Sequence, residues 1–304
     1  MSNGPLSNGI PHRVQPGETL SGIAEENGTT VDVLLALNPQ ITDRNRIQAG
    51  QIITIPVESD TDVSGQPSEP QPSPSSGDDG EEESDGLFLG FDRLAYPGDE
   101  FMQLLKTEGQ VSWTGFYLAP APSQGSTTWM KKRDFLKDLG FGFAPIYVGQ
   151  QQRGVRGSHI LTGAQGTIDA ENAVELARNA GFPEESVLYL DIETGPPPEL
   201  ALLQYYKAWV EGVESNGFSP GVYCSHKLAA DLMEQAPAIV WIFHLKFPNE
   251  TAFEAPLPII DPSQSDFTEA RMIQYAQQGT LTLGREPLSP IDLDCSKKAD
   301  PSEA

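Results

Sequence analysis

Residues 186–193 read SVLYLDIE, an apolar run of strand length that ends in two acids spaced by one residue. A run this short, rich in branched and aromatic side chains, reads as a strand covered on both faces. Similar runs lie on either side: LFLGFD (87–92), WTGFYL (113–118), FGFAPIYV (141–148), GVYC (221–224), IVWIFHL (239–245), RMIQYA (271–276) and PIDLD (290–294). Eight candidate strands suffice for a closed barrel. Helical stretches follow the first five, at Asp99 to Thr107, Trp129 to Leu139, Ile168 to Ala180, Pro198 to Ser215 and His226 to Gln235. The alternation then fails, because a Pro-rich segment without helical period follows the sixth run and a Gly- and Pro-bearing loop follows the seventh. The expected fold is α/β, an irregular (β/α) TIM-like barrel over residues 86–297.

In such a barrel the chemistry sits at the C-terminal ends of the strands. Asp92 closes the first run, Asp191 and Glu193 the fourth, Gln274 and Tyr275 lie near the end of the seventh, and Asp292 and Asp294 close the eighth. Residues i and i+2 of a strand share a face, so Asp191 and Glu193 point together into the barrel mouth, roughly 6 to 7 Å apart. Crowded carboxylates cannot all ionise easily. One of them is then raised enough to act as a general acid near neutral pH while its neighbours stay ionised. Glycosidic cleavage uses this asymmetry, although surface strands and metal sites also contain the D-x-E step.

A different composition occupies the first third of the chain. Residues 58–85, ESDTDVSGQPSEPQPSPSSGDDGEEESD, hold ten acidic side chains, no basic one and almost nothing apolar. They read as an extended, self-repelling linker. Ahead of it, residues 12–57 give the order strand, helix, helix, strand, with Thr19 and Thr30 as helix caps and Leu20, Ile23, Val33, Leu34, Leu37, Ile47, Ile52 and Ile55 as a small core. The pattern V-x-P-G-E-T-L-S-x-I-A, then L-x-x-L-N-P, then I-x-x-G-Q-x-I-x-I-P resembles the LysM family along the whole module. That resemblance implies a shallow groove for N-acetylglucosamine-containing glycans, lined by Gly17, Glu18, Thr19 and Leu20 on one side and by Leu37, Asn38, Pro39 and Gln40 on the other. Read from the residues alone, Gly17, Asn38 and Pro39 shape turns and Leu20 is core.

The runs GFD, PIYVGQ, YLDIE, GFSPGVY and IQY followed by IDLD, in that order, look like the glycoside-hydrolase-like relatives of glycoside hydrolase family 25, the lysozymes of bacteria and phages. The resemblance spans residues 86 to 296. It implies a barrel with irregular final strands that cleaves between N-acetylmuramic acid and N-acetylglucosamine. Glu193 would be the general acid, Asp191 and Asp292 would position substrate or stabilise the transition state, and Asp92 would support them. Tyr147, Gln150, Tyr189, Trp241, Gln274 and Tyr275 would line the sugar cleft. Asp294 stands where the lysozymes commonly have Asn, and the sixth run, VWIFHLKFP, departs from their W-x-A-x-Y-like pattern. Both departures bring the chain nearer the glycoside-hydrolase-like relatives. A chitinase-type barrel fits less well, since Ser186 stands where that family's longer acidic signature has an acid.

A formal charge of −24 argues against a nucleic-acid partner. No apolar run is long enough to cross a bilayer, and the first residues lack the basic start and apolar stretch of a secretory signal. The expectation is therefore synthesis without a classical signal and action at the cell wall or outside the cell, carried there by phage or injection machinery or released by lysis. No cofactor and no metal are implied. His12, His159, His226 and His244 show no ligand spacing, and Cys224 and Cys295 read as buried thiols. Three functions stay open: a peptidoglycan-binding muramidase, a wall-binding protein whose barrel does not hydrolyse, and a delivered effector or lysin acting on this or another N-acetylglucosamine-containing glycan.

Overall fold

A computed structural model of the chain describes residues 9–14, 23, 34, 35, 37, 38, 41, 52–56 and 86–304. The chain divides into two compact units, Met1–Glu82 and Glu83–Ala304.

In the smaller unit, β1 (Gly9–Arg13) pairs antiparallel with β2 (Ile52–Pro56), Pro11 opposite Thr54. Val14, Ile23, Leu34, Ile41 and Ile53 are buried together. Buried Asn38 stitches this unit: its Nδ2 donates to Leu34 O at 2.8 Å and to Thr54 O at 2.6 Å, while its Oδ1 accepts from Thr54 N at 2.6 Å. An amide this fully engaged binds a helical segment to β2. Its side chain is therefore a structural tie, whereas Leu37 is half-buried. The other expected groove residues, Gly17, Glu18, Thr19, Leu20, Pro39 and Gln40, lie outside the described residues.

The larger unit is a closed eight-stranded barrel. β3 (Phe88–Asp92), β4 (Trp113–Tyr117), β5 (Gly142–Tyr147), β6 (Val187–Ile192), β7 (Ser219–Ser225) and β8 (Ile239–Phe243) follow one another in parallel. β10 (Met272–Leu283) adds to β8 in parallel, and a short β9 (Ala252–Glu254) flanks its far end. β11 (Glu286–Ser296) closes the ring antiparallel to both β10 and β3. The helices are α1 (Asp99–Thr107), α2 (Arg133–Asp138), α3 (Gly163–Asn179), α4 (Leu200–Ser215) and α5 (Ala229–Gln235). No helix joins β8 to β10 or β10 to β11, which agrees with the broken alternation in the sequence; a 3₁₀ turn at Pro262–Gln264 stands in the first gap. α3 starts before Ile168 because Thr162 caps it, its side chain accepting from Gln165 N.

One expectation is corrected here. The eighth run does not end at the rim where the parallel strands end; it starts there, Asp292 opposite Asp92, and runs down. Only Gly284 and Arg285 separate β10 from β11, too few for the crossover that a parallel strand needs.

The barrel interior is filled by large rings on alternate strand positions. Trp241 packs edge-on against Trp113, Tyr189 and Tyr223 at ring-centre distances of 5.6, 5.8 and 5.0 Å. Trp113 fits because its neighbour is Gly90, where an added Cβ would come within 2.1 Å of the indole. Gly115 makes room in the same way for Asp92, whose Cβ lies 2.7 Å from where a Gly115 Cβ would stand.

Candidate active site

Above this aromatic floor, Asp92, Asp191, Glu193 and Asp292 converge on one cleft of about 440 Å³, whose walls include Tyr117, Arg93, Arg156 and Gln278. β3 ends in Asp92 and β6 runs into Asp191 and Glu193, so their parallel course brings these acids to one rim. Asp292 reaches the same level by the opposite route, pairing directly with Asp92 across the antiparallel β11–β3 ladder.

Asp92 is buried and tightly held. Tyr117 Oη donates to its Oδ1 at 2.6 Å and Gln274 Nε2 to its Oδ2 at 3.0 Å. Gln274 is itself oriented by Tyr223 Oη, which donates to Oε1 at 2.6 Å. Burial raises the Asp92 carboxyl above its ordinary range, and the two donated bonds pull it back. Asp294, fully buried one step deeper, accepts from Trp241 Nε1 at 3.1 Å. Its Oδ2 has no hydrogen-bond partner among the described residues. Burial, reinforced by repulsion from Asp92 and Asp292, holds Asp294 well above the usual carboxylate range.

Around the cleft the same physics is graded by exposure. Asp191 is buried and raised well above the ordinary range, by burial first and then by Glu193 and Asp92. Asp292 is pushed up to about 8 by burial and by repulsion from Asp92 and Glu193, against the bond that its Oδ1 accepts from Gln278 N at 2.6 Å. Glu193 stands just past the end of β6 and is the solvent-accessible member of the group; crowding by the cleft walls, then Asp92, raises its carboxyl too. The rim thus offers one accessible acid poised to hold a proton and several buried partners.

Positioning comes from Gln150, expected to line the cleft, and from Gln151, Gln278 and Tyr117, which the sequence reading did not assign to the site. Gln151 spans the end of β6, its Nε2 donating to Asp191 O at 2.8 Å and its Oε1 accepting from Glu193 N at 3.2 Å. It acts like a short extra strand beside the D-x-E step. Its loop is anchored by buried Gln150, whose Nε2 donates to Asp169 Oδ2 at 3.0 Å and whose Oε1 accepts from Ile160 N at 3.0 Å. Gln278 adopts a left-handed φ of 53° at an irregularity in β10, which aims its N–H at Asp292. Tyr117 carried a legible signal, an aromatic hydroxyl at the end of the second run.

The expected sugar-lining residues are corrected. Tyr147, Tyr189, Trp241 and Tyr275 are fully buried, and none lines the cleft. Tyr147 Oη donates to Asn172 on α3, so its ring faces the helical layer. Tyr189 Oη donates to Pro301 O, and Tyr275 packs on Phe247. Trp241 is the floor beneath the acids. Gln150 is a loop anchor, and Gln274 orients Asp92.

Two family models match the chain. A family described as Rv2525c-like, glycoside hydrolase-like domain matches residues 107–295, and the LysM domain matches residues 12–56. Asp92 lies ahead of the first match; Asp191, Glu193 and Asp292 lie within it. The endolysin of Bacillus phage PZA is 51% identical over 49 residues, which are 16% of this chain and 19% of that protein. The curated relatives are thus matched over about a fifth of their length. Among solved structures, an uncharacterised B. stearothermophilus protein is 21% identical, covering 68% of this chain and 94% of its own, with a TM-score of 0.48. The catalytic domain of endolysin ply40 from bacteriophage P40 of Listeria monocytogenes is 15% identical, covering 69% and 93%, with a TM-score of 0.48. Among the described residues no helix is long and apolar enough to cross a membrane.

Proposed function

The chain belongs to the Rv2525c-like, glycoside hydrolase-like domain family and carries a LysM domain, and from that premise we propose that it binds peptidoglycan through the LysM module and hydrolyses the glycan in the barrel cleft. The observation that carries the reading is Glu193, an accessible carboxyl with a raised proton affinity, set beside Asp92, Asp191 and Asp292 in one cavity. A protonated Glu193 gives its proton to the glycosidic oxygen as the C–O bond breaks. Asp92, to which Tyr117 and Gln274 both donate, steadies the positive charge that develops on the sugar ring. Water then adds to the anomeric carbon, its proton returns to Glu193, and a new reducing end is left. In this reading the bond is that between N-acetylmuramic acid and N-acetylglucosamine, Asp92 and Asp292 face the reacting sugar, Asp92 helps to raise Glu193, and Asp191 backs the cleft from the end of β6. The LysM module, tethered by residues 58–85, raises the local concentration of the barrel on the wall.

One observation favours a second reading, in which the chain holds wall glycan through its LysM module and the barrel does not cleave it. The cleft lacks the aromatic platforms expected for sugar rings, since those rings are core.

Incubating the protein and its Glu193→Gln variant with purified sacculi, followed by borohydride reduction and mass spectrometry, separates the two. Soluble muropeptides ending in reduced N-acetylmuramic acid from the parent alone establish a muramidase that needs Glu193. Co-sedimentation of both proteins with sacculi, with no fragments from either, establishes the second reading.

A further inference from the structure

The sequence gives no ligand spacing to its histidines, yet the fold brings together two of them that do not line the acidic cleft. His226 directly follows β7 and His244 directly follows β8. Because these strands are parallel neighbours, the two residues leave the barrel side by side, their rings stacked at 4.0 Å with 18° between planes. Asp266, from the segment between β9 and β10, completes the group: its Oδ2 lies 3.5 Å from His226 Nε2. One ligand atom from each of the three falls within 4.8 Å of the others.

The hydrogen bonding defines what this cluster wants. His226 Nδ1 lies 3.3 Å from Phe243 O. A carbonyl only accepts, so Nδ1 faces it as the donor nitrogen, and Nε2 is the nitrogen turned toward the Asp266 carboxylate. A cation on the Nε2 side, whether a proton or a metal ion, is what such a nitrogen–carboxylate pair accommodates. A metal-bound histidine is held in the same way, its outer N–H given to a backbone carbonyl so that the inner nitrogen is fixed in tautomer and direction. A cation already sits nearby: Lys246 Nζ lies 3.4 Å from His244 Nδ1 and 3.5 Å from its Nε2. That ammonium is carried on a flexible stem and can swing out.

We propose that His226, His244 and Asp266 form a site for a divalent transition-metal ion of the zinc type. Two imidazole nitrogens and one carboxylate oxygen suit such an ion better than calcium or magnesium, which prefer all-oxygen shells. Ligand bonds of about 2.0 to 2.2 Å draw the three atoms inward. Most of that movement falls to Asp266, whose side chain is 76% exposed, while His226 at 14% stays where β7 puts it. Water fills the remaining positions on the open side. The ion would pin the long excursion between β8 and β10 to the ends of β7 and β8. None of its three ligands is among the residues that line the acidic cleft, and the proposal does not depend on the hydrolase reading.

The test uses the full untagged chain, stripped with chelator and titrated with Co²⁺ followed by visible absorption, then with Zn²⁺ by calorimetry. One ion per chain is expected, with a ligand-field band, together with a rise in melting temperature on Zn²⁺ addition. Asp266→Ala, an exposed change that spares folding, should weaken binding at least about tenfold, and His244→Ala should abolish the band. Lys246→Ala should tighten binding by removing the competing ammonium, and His159→Ala should leave it unchanged. A titration without a band, or a band of equal strength in the wild type and in His244→Ala and Asp266→Ala, overturns the proposal.

Discussion

Tyr117→Phe tests the state of Asp92 directly. The change removes one oxygen, and with it the 2.6 Å hydrogen bond to Asp92 Oδ1 in a fully buried setting, while leaving the ring in the barrel wall. A hydrogen bond to a charged group contributes about 1.5–3 kcal/mol and a neutral one about 0.5–1.5 kcal/mol. The larger figure applies if Asp92 is a carboxylate, because the variant then leaves a buried negative oxygen with one donor fewer. In a domain of this size 1 kcal/mol moves the melting temperature by roughly 2–4 °C. The variant should therefore melt about 3–12 °C below the parent at neutral pH.

The pH dependence decides the matter. Tyr117 is one of the donors that pull Asp92 down against the raising effect of burial, so its loss raises the folded-state proton affinity of Asp92 further. A group raised in the folded state contributes stability that is fully present below its unfolded value and lost as pH rises through its folded value. The penalty of Tyr117→Phe should thus be smallest near pH 4, at roughly 1–6 °C, and grow toward pH 8. Differential scanning calorimetry of the barrel transition at several pH values measures it. A penalty independent of pH, or largest in acid, would refute an ionised Asp92 held by Tyr117.

Gly115→Ala places a Cβ within 2.7 Å of Asp92 Cβ; overpacking of this kind costs about 1–3 kcal/mol, and in sacculus digestion the variant should lose activity out of proportion to its melting temperature because Asp92 is displaced. Gln278→Gly should stabilise the barrel by about 0.5–1 kcal/mol, since glycine relieves the left-handed φ of 53° at little cost, and it should keep activity because Asp292 is bonded by the backbone N–H; a destabilised variant would show that the Gln278 side chain matters. Asp92, Asp191, Glu193, Asp292 and Asp294 are all raised, so the folded barrel binds more protons than the unfolded chain. Its melting temperature should fall from about pH 5 upward, the Asp292 contribution fading through about 8, and Asp292→Asn should flatten that decline; an unchanged slope in the variant would remove Asp292 as its cause.

The strands and most helices were legible because their signals are local. Runs such as SVLYLDIE and FGFAPIYV mark strands by composition, and an acid at the end of a run marks the rim, which locates Asp92, Asp191 and Glu193. Facing was not legible. In a strand covered on both sides the apolar residues do not alternate with polar ones, so nothing distinguishes Tyr147, turned to α3, from Trp241, turned into the barrel. Strand direction was legible only in hindsight, from the two residues between TLTL and EPLSPIDLD. Contacts across the rim were not: Gln151 reaches Asp191 and Glu193, 40 or more positions away, and His226 meets His244 because parallel strands end at one level.

The inverted last strand is what lets one short segment serve two levels of the site. Asp292 and Asp294 share a face of β11 by the two-residue period, so a strand crossing the rim downward leaves the first at the cleft and the second in the floor. Their surroundings then separate them. Asp292 meets the cleft and the N–H of Gln278, whereas Asp294 meets the indole of Trp241 and the carboxyl of Asp92. Burial keeps Asp294 raised well above the usual carboxylate range, while Asp92 receives donors from Tyr117 and Gln274 on its buried side. Those two bonds oppose the raising effect of burial on Asp92, and Asp92 is in turn the second reason, after burial, that Glu193 is raised.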